Sequence, residues 1–288
     1  MEKAGSRIFK LLSWIVAIQS LGLAMIINGR GSSIGTFLFL KLRFSDSSVH
    51  NIELGLIAFL VALAVQTLVK PNTITLYLSS ALILVESAFF TYNGGNFEAP
   101  FSLAGTSMRW TAPLILGALV LIKKRNTEHN LTAEDFSSWM MTLLLYSAAV
   151  TFVTHGVEAL LAHPRFVDYI IGAGRKLLDF RIAQSSAETV LFCIGMVDVL
   201  VACLIVTVRW KPIAAYMTFW GMLTAMSRVV YFEAGGIGEF LIRAANWGVP
   251  LVIYLIWRAQ PNADILEDKN DQTAGDLNEP LHHDQGAA

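Results

Sequence analysis

Residues 187–208 read Ala187-Glu-Thr-Val-Leu-Phe-Cys-Ile-Gly-Met-Val-Asp-Val-Leu-Val-Ala-Cys-Leu-Ile-Val-Thr-Val208. The run is almost wholly apolar and close to the roughly 20 residues that cross a bilayer core as a helix. Asp198 stands near its middle. Its cysteines, Cys193 and Cys203, would lie about 15 Å apart along a helix axis, too far to bond to each other within the chain. There is no Cys-x-x-Cys, which argues against a thiol relay.

Seven further apolar runs surround this one, at roughly 9–27, 53–69, 74–92, 105–122, 137–161, 213–231 and 240–257. Glu86 interrupts the third run of the chain and Arg228 the seventh. The expected fold is therefore an all-α integral membrane protein with about eight transmembrane helices. Composition agrees: 55% of the 288 residues are hydrophobic and 15% are charged, against about 25% charged in a soluble domain. A net charge of -1 without a dense basic stripe gives no sign of a nucleic-acid partner. The first apolar run exceeds the apolar region of a signal peptide and is expected to be a retained helix.

Lys and Arg in short loops set the orientation. With eight spans, Lys70, Lys123, Lys124, Arg125, Arg209 and Lys211 share one side with both termini. Both termini are expected in the cytoplasm, and the membrane is expected to be a bacterial inner membrane. Two long connections on the other side, 28–52 and 162–186, mix apolar and charged residues and read as interfacial amphipathic segments.

The order of motifs repeats. Gly29 matches Gly156, Lys70-Pro71 matches Lys211-Pro212, and Gly94-Gly95 matches Gly235-Gly236. Arg109-Trp110-x-x-Pro113-Leu114 matches Asn246-Trp247-x-x-Pro250-Leu251, with all offsets between 127 and 141 residues. An even number of spans per unit makes the repeats parallel, related by an axis along the membrane normal. The expected units are a first four-helix repeat at 1–127, a cytoplasmic linker at 128–136, a second repeat at 137–259 and a disordered acidic tail at 260–288.

Ionisable side chains inside spans are costly and mark functional candidates. His155 and Glu158 share a helix face one turn apart, as a candidate catalytic, proton-handling pair. Asp198, Arg228, Asn246 and Trp247 are expected to complete an intramembrane polar cluster or ligand site, with Arg228 paired to Glu158 or Asp198. Glu86 and Arg109 form a smaller candidate pair in the first half. The cluster reads either as structural glue between helices or as a ligand site. No metal site is expected: carboxylate di-metal sites in bundles use more acids and a second histidine. Haem would need another histidine at matching depth, and His50 and His163 lie in no clear span. His282-His283 are tail residues.

The second half, roughly 145–258, resembles the DoxX family of four-helix membrane proteins. The resemblance rests on a first helix ending in His155-Gly156, on His163-Pro164-Arg165-Phe166-Val167-Asp168, and on Gly195-Met-Val-Asp198, where the family carries Gly-x-x-acid, usually with Glu. The first half is fainter, through Gly55 and Lys70-Pro71, and lacks the acid and the histidine. The resemblance implies a membrane subunit. Relatives include a small subunit of thiosulfate:quinone oxidoreductase, and others linked to redox partners, cargo export or membrane-protein assembly.

The leading expectation is a subunit of a redox-linked system, possessing no catalytic motif of its own. It would bind quinone or another amphipathic ligand between helices five to eight near the outer leaflet, with Trp247 walling the pocket, and would have a protein partner in a membrane complex. The alternative is a non-catalytic scaffold, assembly factor or cargo-interaction protein. A small-molecule transporter is the third reading.

Overall fold

A computed structural model describes residues 2–94, 99–125, 131–132 and 135–259. The tail at 260–288, Gly95 of the repeat motif and most of the linker lie outside the described residues, as do His282 and His283. Among the described residues every element is helical. In chain order they are α1 (Glu2–Arg30), α2 (Ser33–Leu40), α3 (Asp46–Val69), α4 (Thr73–Asn93), α5 (Ser102–Gly105) and α6 (Ser107–Arg125). There follow α7 (Ser138–Leu160), α8 (Pro164–Leu177), α9 (Gln184–Thr207), α10 (Lys211–Phe232), α11 (Ile237–Leu241) and α12 (Ala244–Ala259). A single 3-10 turn precedes α5 and another precedes α11.

Side-chain caps and turn residues set the boundaries. Ser32, Ser45 and Asn72 accept from backbone N–H groups in the first turns of α2, α3 and α4, relieving donors that a helix start leaves unpaired. Pro164 and Pro212 stand in the first turns of α8 and α10, where the missing N–H costs nothing. Lys123, Lys124 and Arg125 close α6, favourable against the negative end of its dipole.

The eight apolar segments are largely helical, but 105–122 crosses the break at Thr106 between α5 and α6, and 240–257 crosses the break at Ile242 and Arg243 between α11 and α12. Among the described residues five helices are long and apolar enough to cross a membrane: α1 together with α2, then α3, α4, α7 and α9. A sixth arises if the pair Lys211–Leu241 and Ala244–Ala259, bent by 52°, counts as one span. The count stays below eight for physical reasons. α6 has 19 residues but carries Arg109 at one end and three basic residues at the other. α12 has 16 residues, about 24 Å of helix against a hydrocarbon core of about 30 Å.

A main apolar core runs through the described residues, beside smaller clusters around Leu60 and around Leu191. Ile8, Leu12 and Ile15 of α1 meet Ile115, Leu116 and Leu119 of α6, Leu144 and Ala148 of α7, and Val252, Ile253 and Ile256 of α12. The other long helices pack around these four, and α9 and α10 also reach the core through Ile205 and Met217. α1 packs on α3 and α7 on α9; α4 packs on α6 and α10 on α12; α2 rests on α4 and α8 on α10. The outer helices expose Val61, Val65 and Val69 of α3 and Phe192, Met196 and Leu200 of α9. So wide an apolar surface is a liability in water and ordinary against lipid. Together with the long apolar helices it marks an integral membrane protein.

Both long connections fold into a helix, but only α8 is amphipathic. α2 is Ser-Ile-Gly-Thr-Phe-Leu-Phe-Leu, and its helix ends before Lys41 and Arg43. The charges that suggested an amphipathic segment lie past its C-terminal end. Phe37 of α2 packs on Phe89 of α4, ring centroids 4.5 Å apart.

Candidate functional site

His155 and Glu158 sit near the end of α7, and their i,i+3 spacing brings them together: Nδ1 of His155 is 2.9 Å from Oε2 of Glu158. Glu158 is buried. The imidazole is wedged between Phe166 of α8, ring centroids 6.2 Å apart, and α5. A Cβ built on Gly105 of α5 would stand 3.5 Å from the imidazole Cε1. Below this point α6 is tied to α7, where the Ser107 hydroxyl lies 2.9 Å from both the Ser147 carbonyl and the Thr151 hydroxyl.

The pair faces a cavity of about 410 Å³. The cavity lies at the end of the helix bundle that carries α2 and α8, and both halves of the chain wall it. Arg30, Glu86 and Arg109 come from the first half, and His155, Glu158, Arg228, Glu239 and Arg243 from the second. Leu23, Ile26, Ile83 and Ile242 give it an apolar side.

Each carboxylate already has partners. Glu239 is shared by Arg30, at 2.5 Å, and by Arg243, one helical turn on. Glu158 is held by His155. Glu86 was expected to pair with Arg109 and does not. Its carboxylate accepts from the backbone N–H of Ser33 at 2.5 Å and of Ile34 at 3.1 Å, because the start of α2 offers bare amide donors and a positive dipole end to any acid beside it.

Arg228 also departs from expectation. Among the described residues it pairs with neither Glu158 nor Asp198. It donates to the Thr224 carbonyl and, at 3.2 Å, to the Ser227 hydroxyl of its own helix. Its guanidinium lies 4.7 Å from the Tyr169 ring centroid and 5.7 Å from that of Phe166. Docking of α8 on α10 supplies these aromatic faces, and a cation over an aromatic face is favourable. Arg109 makes no ion pair among the described residues. The Nε atoms of Arg109 and Arg228 are both buried without a partner.

Asp198, Asn246 and Trp247 do not line the cavity. Asp198 is fourteen residues into α9, about 20 Å of helix from the cavity end, and is buried with Oδ1 unpartnered. Asn246 is buried against α10, where a Cβ on Gly221 would meet its carbonyl oxygen at 2.6 Å. Trp247 is partly buried and packs on the apolar core. Arg30, Glu239 and Arg243 also line the cavity and were not among the candidate residues of the sequence. The i,i+4 spacing of Glu239 and Arg243 is a signal for those two, whereas Arg30 reaches Glu239 from α1 with no local signal. Among the described residues no group of three or more His, Cys, Asp and Glu side chains is arranged to hold a metal ion.

Comparison with family models, with curated proteins and with solved structures found no match to the chain.

Proposed function

We propose that the chain is an integral membrane subunit that binds an amphipathic ligand in the cavity between its two halves, in a redox-linked system if that ligand is a quinone. The observation that carries the proposal is the hydrogen-bonded His155–Glu158 pair on the wall of a cavity with both a charged and an apolar side. A histidine hydrogen-bonded to a carboxylate can exchange a proton with a bound carbonyl or hydroxyl. The DoxX-like reading of residues 145–258 belongs to this proposal.

So does an arrangement of eight spans as two parallel repeats. It is supported by the same order of helices in 2–125 and 138–259 and by the matching packing partners of α1 to α6 and α7 to α12. Lys and Arg in the loops on the side of the termini support cytoplasmic termini in a bacterial inner membrane. The test is gentle purification from the native membrane with mass spectrometry of everything that co-purifies. A bound amphipathic molecule that is lost in His155→Ala is the expected result. A stoichiometric protein partner with no small molecule would replace this reading with a scaffold.

A transporter is the second reading, favoured by one observation: residues of both halves meet in one cavity, and transporter sites lie at repeat interfaces. Accumulation of the co-purified molecule in proteoliposomes would establish it.

A further inference from the structure

Buried guanidinium groups are costly unless an anion answers them. In this cavity the protein's own anions are engaged elsewhere. Glu86 accepts from the amides that open α2, Glu158 is bonded to His155, and Glu239 is already shared between Arg30 and Arg243. Arg109 and Arg228 line the same space and make no ion pair among the described residues. Each keeps a buried Nε–H with no acceptor.

We infer that the cavity is a phosphate site, in which Arg109 and Arg228 receive the dianionic phosphate monoester of a ligand whose apolar part lies along Leu23, Ile26 and Ile83. The inference rests on the ligand-binding reading above and narrows its ligand class. A phosphate monoester carries about -1.5 to -2 at neutral pH, enough to answer two guanidinium groups. A carboxylate answers one, and a neutral quinone headgroup answers neither. Arginine's planar fork suits phosphate oxygens in bidentate geometry. The apolar side suits a lipid chain, while the charged side alone would suit free phosphate.

The test uses the full chain in detergent and four probes: dihexanoyl phosphatidate, dihexanoyl phosphatidylcholine, sodium phosphate and decylubiquinone, each titrated by calorimetry. Phosphatidate should bind about tenfold or more tighter than phosphatidylcholine, which has the same tails and no net charge. Arg109→Gln and Arg228→Gln should each weaken phosphatidate by about tenfold or more. Phosphatidate binding without sodium phosphate binding assigns the site to a lipid headgroup. Comparable binding of both, with the same loss in the variants, assigns it to free phosphate. Equal binding of the two lipids, or binding of decylubiquinone alone, overturns the phosphate site and leaves the ligand cavity standing. Binding of none of the four overturns both readings. If the variants fail to fold, the headgroup comparison on the unaltered chain decides by itself.

Discussion

Pro113 has no N–H to give the carbonyl of Arg109, four residues earlier in α6. The Nε2 of Gln19, on α1, donates to that carbonyl at 2.9 Å. Since a bare carbonyl in an apolar interior is costly, Gln19→Leu should lower stability by about 1–2 kcal/mol, read as a lower unfolding midpoint by scanning fluorimetry in detergent; an unchanged midpoint would mean another donor reaches the carbonyl. At this scale the sequence was informative wherever both partners lie on one helix. The contact of His155 with Glu158 follows from spacing alone. The partners of Arg228 and Glu86 did not follow, because they are supplied by the docking of α8 and by the amides of α2, neither of which spacing specifies.

Between elements, α7 and α9 cross at close range. A Cβ on Gly156 would lie 3.0 Å from the Gly195 carbonyl oxygen, and one on Gly195 would lie 2.7 Å from that of Gly156. The two backbones touch, as small residues allow in membrane helix pairs. Gly195→Leu should force the helices apart at a cost of about 1–3 kcal/mol, and the variant should elute earlier or aggregate in gel filtration. The amphipathic α8 is fastened differently. Lys176 reaches Oε1 of Glu233 at 2.8 Å and the Tyr231 carbonyl at 2.9 Å. The hydrogen bond from Lys176, then its charge, holds the Glu233 carboxyl below the usual carboxylate range. A lowered pKa in the folded state means that the contact stabilises above the unfolded-state value and is lost as pH falls through the folded one. Hydrogen exchange in α8 should therefore speed up under acid relative to Glu233→Gln, in which the contact is absent at every pH; identical profiles would count against the tether. The positions of the long helices were legible because apolar length is a local property. The character of α2 was not, since Lys41 and Arg43 colour the segment but stand past the end of the helix.

For the whole molecule, the distribution of Lys and Arg predicts which loops share a side. With Cys193 and Cys203 replaced by alanine, Lys70→Cys and Arg175→Cys should be labelled by an impermeant maleimide from opposite faces of the membrane; labelling from one face would overturn the topology. The way the first part of the chain packs against the last was not legible in the sequence, because it depends on contacts between distant helices. A Cβ on Gly22 of α1 would come within 2.2 Å of the Ile242 backbone nitrogen, so the start of the chain is fitted against nearly its last helix. The core itself is drawn mainly from α1, α6, α7 and α12, with α9 and α10 adding residues such as Ile205 and Met217. Synthesis has to live with that order. When α6 leaves the ribosome, the faces of α1 and α6 that will meet α7 and α12 have only lipid or an insertion chaperone to cover them. Those that meet α12 wait until translation has passed residue 259. A ribosome that stops early releases an unfinished seam, the kind of surface that membrane quality-control proteases are positioned to read.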